Sequence, residues 1–170
     1  VIVLSGWCDG NVKRAGSLEK YASRMFVCVL AVVTAIAFPG VTYDVPNDWT
    51  TQQRPSLLVL TAPERDARIA IVDVGEALNA DVAIAKAWRK YDPTMQARIE
   101  TAADVPSDLG WDETRFVTYA ESPAEHVVAY AAGVRRGYRW TVMLALGSSS
   151  TLEKRSAALS MVLASLRFTE

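Results

Sequence analysis

The reading turns on residues 126–146, His126-Val127-Val128-Ala129-Tyr130-Ala131-Ala132-Gly133-Val134-Arg135-Arg136-Gly137-Tyr138-Arg139-Trp140-Thr141-Val142-Met143-Leu144-Ala145-Leu146. Two β-rich runs, His126–Val134 and Arg139–Leu146, flank the polar connection Arg135-Arg136-Gly137-Tyr138, in which Gly137 is free to adopt positive φ. In the second run Trp140, Val142, Leu144 and Leu146 fall on one face, and Arg139, Thr141, Met143 and Ala145 on the other. Two such runs joined by a tight turn predict an antiparallel hairpin.

Working outward, Ser150 with Glu153 three residues later has the form of a capping box. It opens a helix with an apolar stripe of Leu152, Leu159, Val162, Leu163 and Leu166, ending near Arg167, with Lys154 and Arg155 turned outward. Upstream, Val41–Val45 reads as a strand ended by Pro46-Asn47-Asp48, and Leu57–Leu60 and Arg68–Val74 as a hairpin about Pro63-Glu64-Arg65-Asp66. Asn79 caps a helix over Ala80–Tyr91, with Asp81 in its first turn and Asp92-Pro93 as its stop. Ile84, Ala87, Trp88 and Tyr91 form its stripe. Gln96–Glu100 and Arg115–Tyr119 read as strands on either side of a Thr101–Gly110 loop. Tight turns make neighbouring strands antiparallel, and one-sided helices must cover a sheet face, so the fold class is α+β: a central antiparallel sheet with helices packed on it.

The 170 residues suffice for one domain with a real core, and 51% hydrophobic against 22% charged is a globular composition. A formal net charge of −1 argues against nucleic acid as partner, because phosphate neutralisation needs a basic surplus. Two cysteines exclude a thiolate zinc site, and one histidine excludes any site needing two imidazoles. The expectation is no metal and no cofactor.

Residues 1–37 stand apart from the 38–170 domain. Phe26–Phe38 is uncharged and apolar, preceded by Lys13, Arg14, Lys20 and Arg24 against Asp9 and Glu19, and Ala35-Ile36-Ala37 has the small-x-small form of a signal-peptidase site. This describes a basic leader with a secretory signal and predicts a periplasmic or secreted protein. Cleavage after Ala37 would remove Cys8 and Cys28. If the 26–38 segment is not cleaved, it is an anchor and membrane becomes a partner; the remaining reading is a buried core element.

No catalytic set assembles. Ser17-Leu18-Glu19-Lys20 has the S-x-x-K form of β-lactamases but no partner motif, and it precedes the apolar run. His126 beside Glu125 has the elements of an oriented general base without a nucleophile opposite. Asp104, Asp108, Asp112 and Glu113 read as a solvated acidic loop, and Trp49, Trp88, Trp111 and Trp140 as core or the lining of an apolar groove. The best binding candidates are Arg135, Arg136, Tyr138, Arg139 and Trp140 at the hairpin tip, because arginine interleaved with aromatics is enriched where proteins meet partners.

Several pieces carry a family resemblance: Tyr43-Asp44-Val45-Pro46 with Asp48-Trp49, Ala70-Ile71-Val72-Asp73-Val74, Ala83-x-x-x-Ala87-Trp88-x-x-Tyr91, Gly110-Trp111-Asp112, Arg139-Trp140-Thr141-Val142, and Glu153-Lys154-Arg155 with Leu163-Ala164-Ser165-Leu166-Arg167. The ending resembles the last helix of PsbP/Mog1-like α/β sandwiches. The fuller pattern, over about residues 42–168, resembles the non-catalytic amino-terminal domain of some exported bacterial serine hydrolases of the β-lactamase type. The resemblance implies an accessory or binding role, with a protein partner or a covalently linked hydrolase domain beyond Glu170. A stand-alone PsbP/Mog1-like envelope protein and a small hydrolase remain the alternatives.

Overall fold

A computed structural model describes residues 35–38, 40–106, 109–122 and 126–169, with side chains from residue 38 onward. The apolar run before Ala35, the leader with Ser17 and Lys20, both cysteines, Asp108 and Glu125 lie outside the described residues.

Ten strands and three helices are described: β1 Ala35–Phe38, β2 Val41–Asp44, β3 Thr50–Arg54, β4 Leu57–Thr61, β5 Ala67–Glu76, α1 Ala80–Tyr91, β6 Ile99–Asp104, β7 Glu113–Tyr119, β8 Val128–Arg136, β9 Arg139–Gly147, α2 Ser149–Lys154, α3 Ser156–Ser165 and β10 Arg167–Phe168. Seven strands form one sheet in the order β3-β4-β5-β9-β8-β7-β6, antiparallel throughout, and β1-β2-β10 form a second, small sheet. The central hairpin pairs Arg136 with Arg139 and Val128 with Gly147. Its turn is the two residues Gly137 and Tyr138, with Gly137 at φ 60, the first central position where a tight hairpin turn takes glycine.

Alternation along β9 sorts the core into two layers. Trp140, Val142 and Leu144 join Ala70, Val72, Val117 and Ala131 beneath the Ala83, Ile84, Ala87 and Trp88 stripe of α1. Met143 joins Leu58, Leu60, Ile69, Ile71 and Val134 on the opposite face, under Leu152, Val162 and Leu166 and the small-sheet residues Phe38, Val41 and Tyr43. Each fully buried aliphatic of these layers contributes about 1.5–3 kcal/mol of transfer free energy. The architecture is the α+β sandwich read from the sequence.

Five details differ. β1 starts three residues before the boundary drawn at 38 and pairs Ala35–Phe38 with Val41–Asp44, so Ala35-Ile36-Ala37 lie within the small sheet. β3, Thr-Thr-Gln-Gln-Arg, is a strand that the sequence reading does not contain; it is a wholly exposed edge strand without apolar alternation. β6 covers Ile99–Asp104 instead of Gln96–Glu100, and is exposed along its length for the same reason. The last helix is two: α2 is capped by the Ser148 side chain on Thr151 N, not by Ser150, and the chain breaks at Arg155 before α3. Arg155 turns inward instead of outward, its side chain 14% exposed, and binds Glu64 and Asp66 of the β4–β5 turn.

Candidate functional site

The hairpin tip is shaped by the strand register. Because the turn is two residues long, Arg135 remains on β8 and lies against β7 and β9. Its Nε donates to Glu113 at 3.1 Å, its guanidinium also faces Asp112 at 3.6 Å, and its Cζ sits 5.8 Å from the Trp140 ring centroid. Asp112 accepts the Gly137 N–H at 2.6 Å, which pins the turn to the β7 approach. Arg139 lies on the other face. It donates to Asp73 from Nε at 3.2 Å and from Nη2 at 2.7 Å, and this partnership holds its pKa above the ordinary arginine value. Its guanidinium also packs against Gly40, where a β-carbon would collide with it.

Of the five tip residues, then, Arg135 and Arg139 are internal ties. Trp140 is 1% exposed and donates its indole N–H to Ala77 O at 3.2 Å; it is a core residue and presents no contact surface. Arg136 and Tyr138 are exposed, Tyr138 at 76%. The structure adds a residue that the sequence did not single out: Leu78, 89% exposed, in the β5–α1 connection. Leu78 and Tyr138 line one concavity of about 730 Å³ together with Glu76, Lys86, Glu113 and Arg135. The sequence signal was present, a leucine directly before the Asn79 cap, but hydrophobic residues in that position commonly fold back on the helix, and this one does not.

The other sequence candidates are dispersed. Among the described residues no three His, Cys, Asp or Glu side chains are placed to hold a metal ion. Asp104 serves Arg115, while Asp112 and Glu113 serve Arg135. His126 Nδ1 lies 2.9 Å from Glu121 Oε1, both side chains in solvent, and the His126 N–H bonds Ser122 O in the β7–β8 connection. Trp49, Trp88, Trp111 and Trp140 are all buried; Trp88 donates to the Tyr119 hydroxyl at 2.8 Å and meets its ring edge-on. Trp88 and Trp140 each touch a different concavity, and the four rings share none. No described helix is long and apolar enough to cross a membrane.

This arrangement, a sheet of antiparallel strands with helices packed on it, is a PsbP-like fold. It is shared with the solution structure of cyanobacterial PsbP (CyanoP) from Synechocystis sp. PCC 6803, at a TM-score of 0.59 and 12% identity over 81% of this chain and 92% of that one. A crystal structure of a Pseudomonas aeruginosa protein of unknown function is also similar, at a TM-score of 0.50 and 11% identity over 81% of this chain and 98% of the other. No family model matches the sequence, and no curated protein does.

Proposed function

We propose that the chain is an exported, non-catalytic binding module that takes a protein segment at the hairpin tip. The observation that carries this reading is the presence of two large apolar side chains, Leu78 and Tyr138, standing in solvent on one concavity. A single exposed leucine is ordinary, but two large apolar side chains sharing one concavity offer a partner an apolar anchor point. The charged lining, Glu76 and Glu113 with Lys86 and Arg135, carries both signs, so the segment that fits is selected by its apolar anchor. The dispersal of His126 and the carboxylates among structural partners supports a role without chemistry of its own.

The test is selection of displayed peptides on the whole chain, with counter-selection on Leu78→Ser/Tyr138→Ser. Binders enriched for a large apolar residue, and lost in the double variant, are expected. Binders indifferent to both substitutions would refute the tip as the contact. The further proposal of a covalently attached serine hydrolase rests on the resemblance of residues 42–168. It is tested by reading the gene past the Glu170 codon: a linker followed by S-x-x-K supports it, and a stop codon removes it. Export is tested by the amino terminus of the native protein, expected near Phe38 if the 26–38 run is cleaved.

A further inference from the structure

One helix cannot cover seven strands. A sheet of that size is about 29 Å wide, whereas α1 is about 18 Å long and roughly 10 Å across. The face it shares with the sheet is therefore left open beyond its carboxyl end, over β3, β4, β5 and the Gly147 end of β9. There the structure holds a concavity of about 720 Å³, within the roughly 300–1,000 Å³ usual for small-molecule sites.

The register decides what lines it. Arg54 pairs with Leu57, Gln52 with Val59, and Thr61 with Arg68, which in turn pairs with Leu146. All these side chains share the α1 face of the sheet, so Leu57, Val59 and Leu146 make an apolar floor between Arg54 and Arg68. Arg65, in the β4–β5 turn, adds a third guanidinium. Among the described residues none of the three arginines forms an ion pair. The two carboxylates in the lining are already engaged: Asp66 by Arg155, and Asp92 by the Thr94 N–H and hydroxyl. The carbonyl end of α1 reaches the rim at Asp92, and the last-turn Arg89 and Lys90 offset its partial negative charge. Arg65 also sits at φ 59, a left-handed position that glycine or asparagine occupies at lower cost. Nothing in the turn itself calls for a guanidinium there.

We infer that this concavity binds a small organic oxyanion, a phosphate or carboxylate group carried on an apolar body, with Leu57, Val59 and Leu146 under the body and the arginines at the rim, Arg68 and Arg65 toward one end of that floor and Arg54 toward the other, to hold the anionic group. Guanidinium forks match the two oxygens of either group, and the apolar floor selects against the bare ion.

The experiment is an NMR titration of the whole chain with hexyl phosphate, hexanoate, hexanol and inorganic phosphate in parallel. A saturable shift of the Leu57, Val59 and Leu146 amides by hexyl phosphate or hexanoate is expected, at least tenfold tighter than by hexanol or inorganic phosphate. The better of the two anions identifies the group. Arg54→Gln/Arg68→Gln should weaken that affinity at least tenfold. Arg65→Asn should weaken it while leaving the thermal midpoint unchanged or raised, because asparagine accepts the left-handed backbone. Leu78→Ser/Tyr138→Ser should leave it unchanged, so that failure here is separable from failure of the tip as a protein contact. No saturable shift with either anion, equal binding of hexanol or of inorganic phosphate, or indifference to the arginine substitutions would overturn the assignment.

Discussion

The two ends of the central strands use arginine in opposite ways. At the Gly137 end, Arg135 and Arg139 each reach carboxylates from neighbouring strands, with Glu113 and Asp112 facing one and Asp73 the other. Toward the Gly147 end, Arg68 and Arg65 line one open concavity with Arg54 of the edge strand, which lies in register with Val142, and none of the three forms an ion pair among the described residues. The difference follows from what lies above the sheet. At the tip, the bulge between Asp73 and Gly75 and the turn at Gly40 crowd Arg139 onto Asp73, and β7 brings Glu113 beside Arg135. At the far end α1 has stopped, β3 is an exposed edge, and among the described residues the lining carboxylates are Asp66 and Asp92, both already engaged. One end is tied shut and the other is left chargeable.

Substitutions can break or sharpen this contrast. The largest effect belongs to Trp140→Ala, which removes the ring that Arg135 and Ala77 both address and leaves a cavity under α1. A loss of about 3–5 kcal/mol in urea unfolding is expected. Next is an alkaline limb that belongs to neither end. Tyr43, buried between the layers with no hydrogen-bond partner for its hydroxyl among the described residues, has its pKa pushed up to about 12 by desolvation. The unfolded chain releases this proton near pH 10 and the folded one only near 12, so stability is full below pH 10 and falls by about 2–3 kcal/mol as the pH rises to 12. Stability measured against pH should lose this limb in Tyr43→Phe, which is expected to be no less stable than the parent at neutral pH.

Arg139→Ala strands the Asp73 carboxylate in a half-buried position. It should cost about 1–2 kcal/mol, below the 3–5 of a fully buried pair because Arg139 still sees solvent. The smallest effect is predicted for Arg136→Ala and Tyr138→Ser, within about 0.5 kcal/mol of the parent by thermal unfolding, since both side chains are exposed. A larger loss would mean that they are structural, and the tip would cease to be a contact candidate.

How much of this was legible in the sequence follows burial. The β8–β9 hairpin, the Asn79-capped helix and the β4–β5 hairpin announced themselves because buried faces impose periodicity. β3 and β6 carry no buried face, so Thr50–Arg54 gave no strand signal and Ile99–Asp104 was displaced. The helix break at Arg155 was hidden because it coincides with a tertiary contact, to Glu64 and Asp66, that the local sequence does not show. At the tip the sequence located the right turn but not the fate of its residues. A tryptophan and two arginines on two paired strands look alike in sequence, and only the register says that Trp140 points under α1 and Arg139 toward Asp73. The far-end arginines went unseen because Arg54 lies on the missed strand. With β3 placed, the short turns at Pro55-Ser56 and Pro63–Asp66 put Arg54 and Arg68 on one face by parity alone.

The most direct test of the contrast is urea unfolding of Arg135→Gln/Arg139→Gln beside Arg54→Gln/Arg68→Gln. Both pairs delete two positive charges from the same sheet, so differences in net charge cancel. The tip pair should lose about 2 kcal/mol or more, and the far-end pair should stay within about 0.5 kcal/mol of the parent. Equal losses, or the larger loss at the far end, would contradict the claim that arginine is structural at one end of these strands and available at the other.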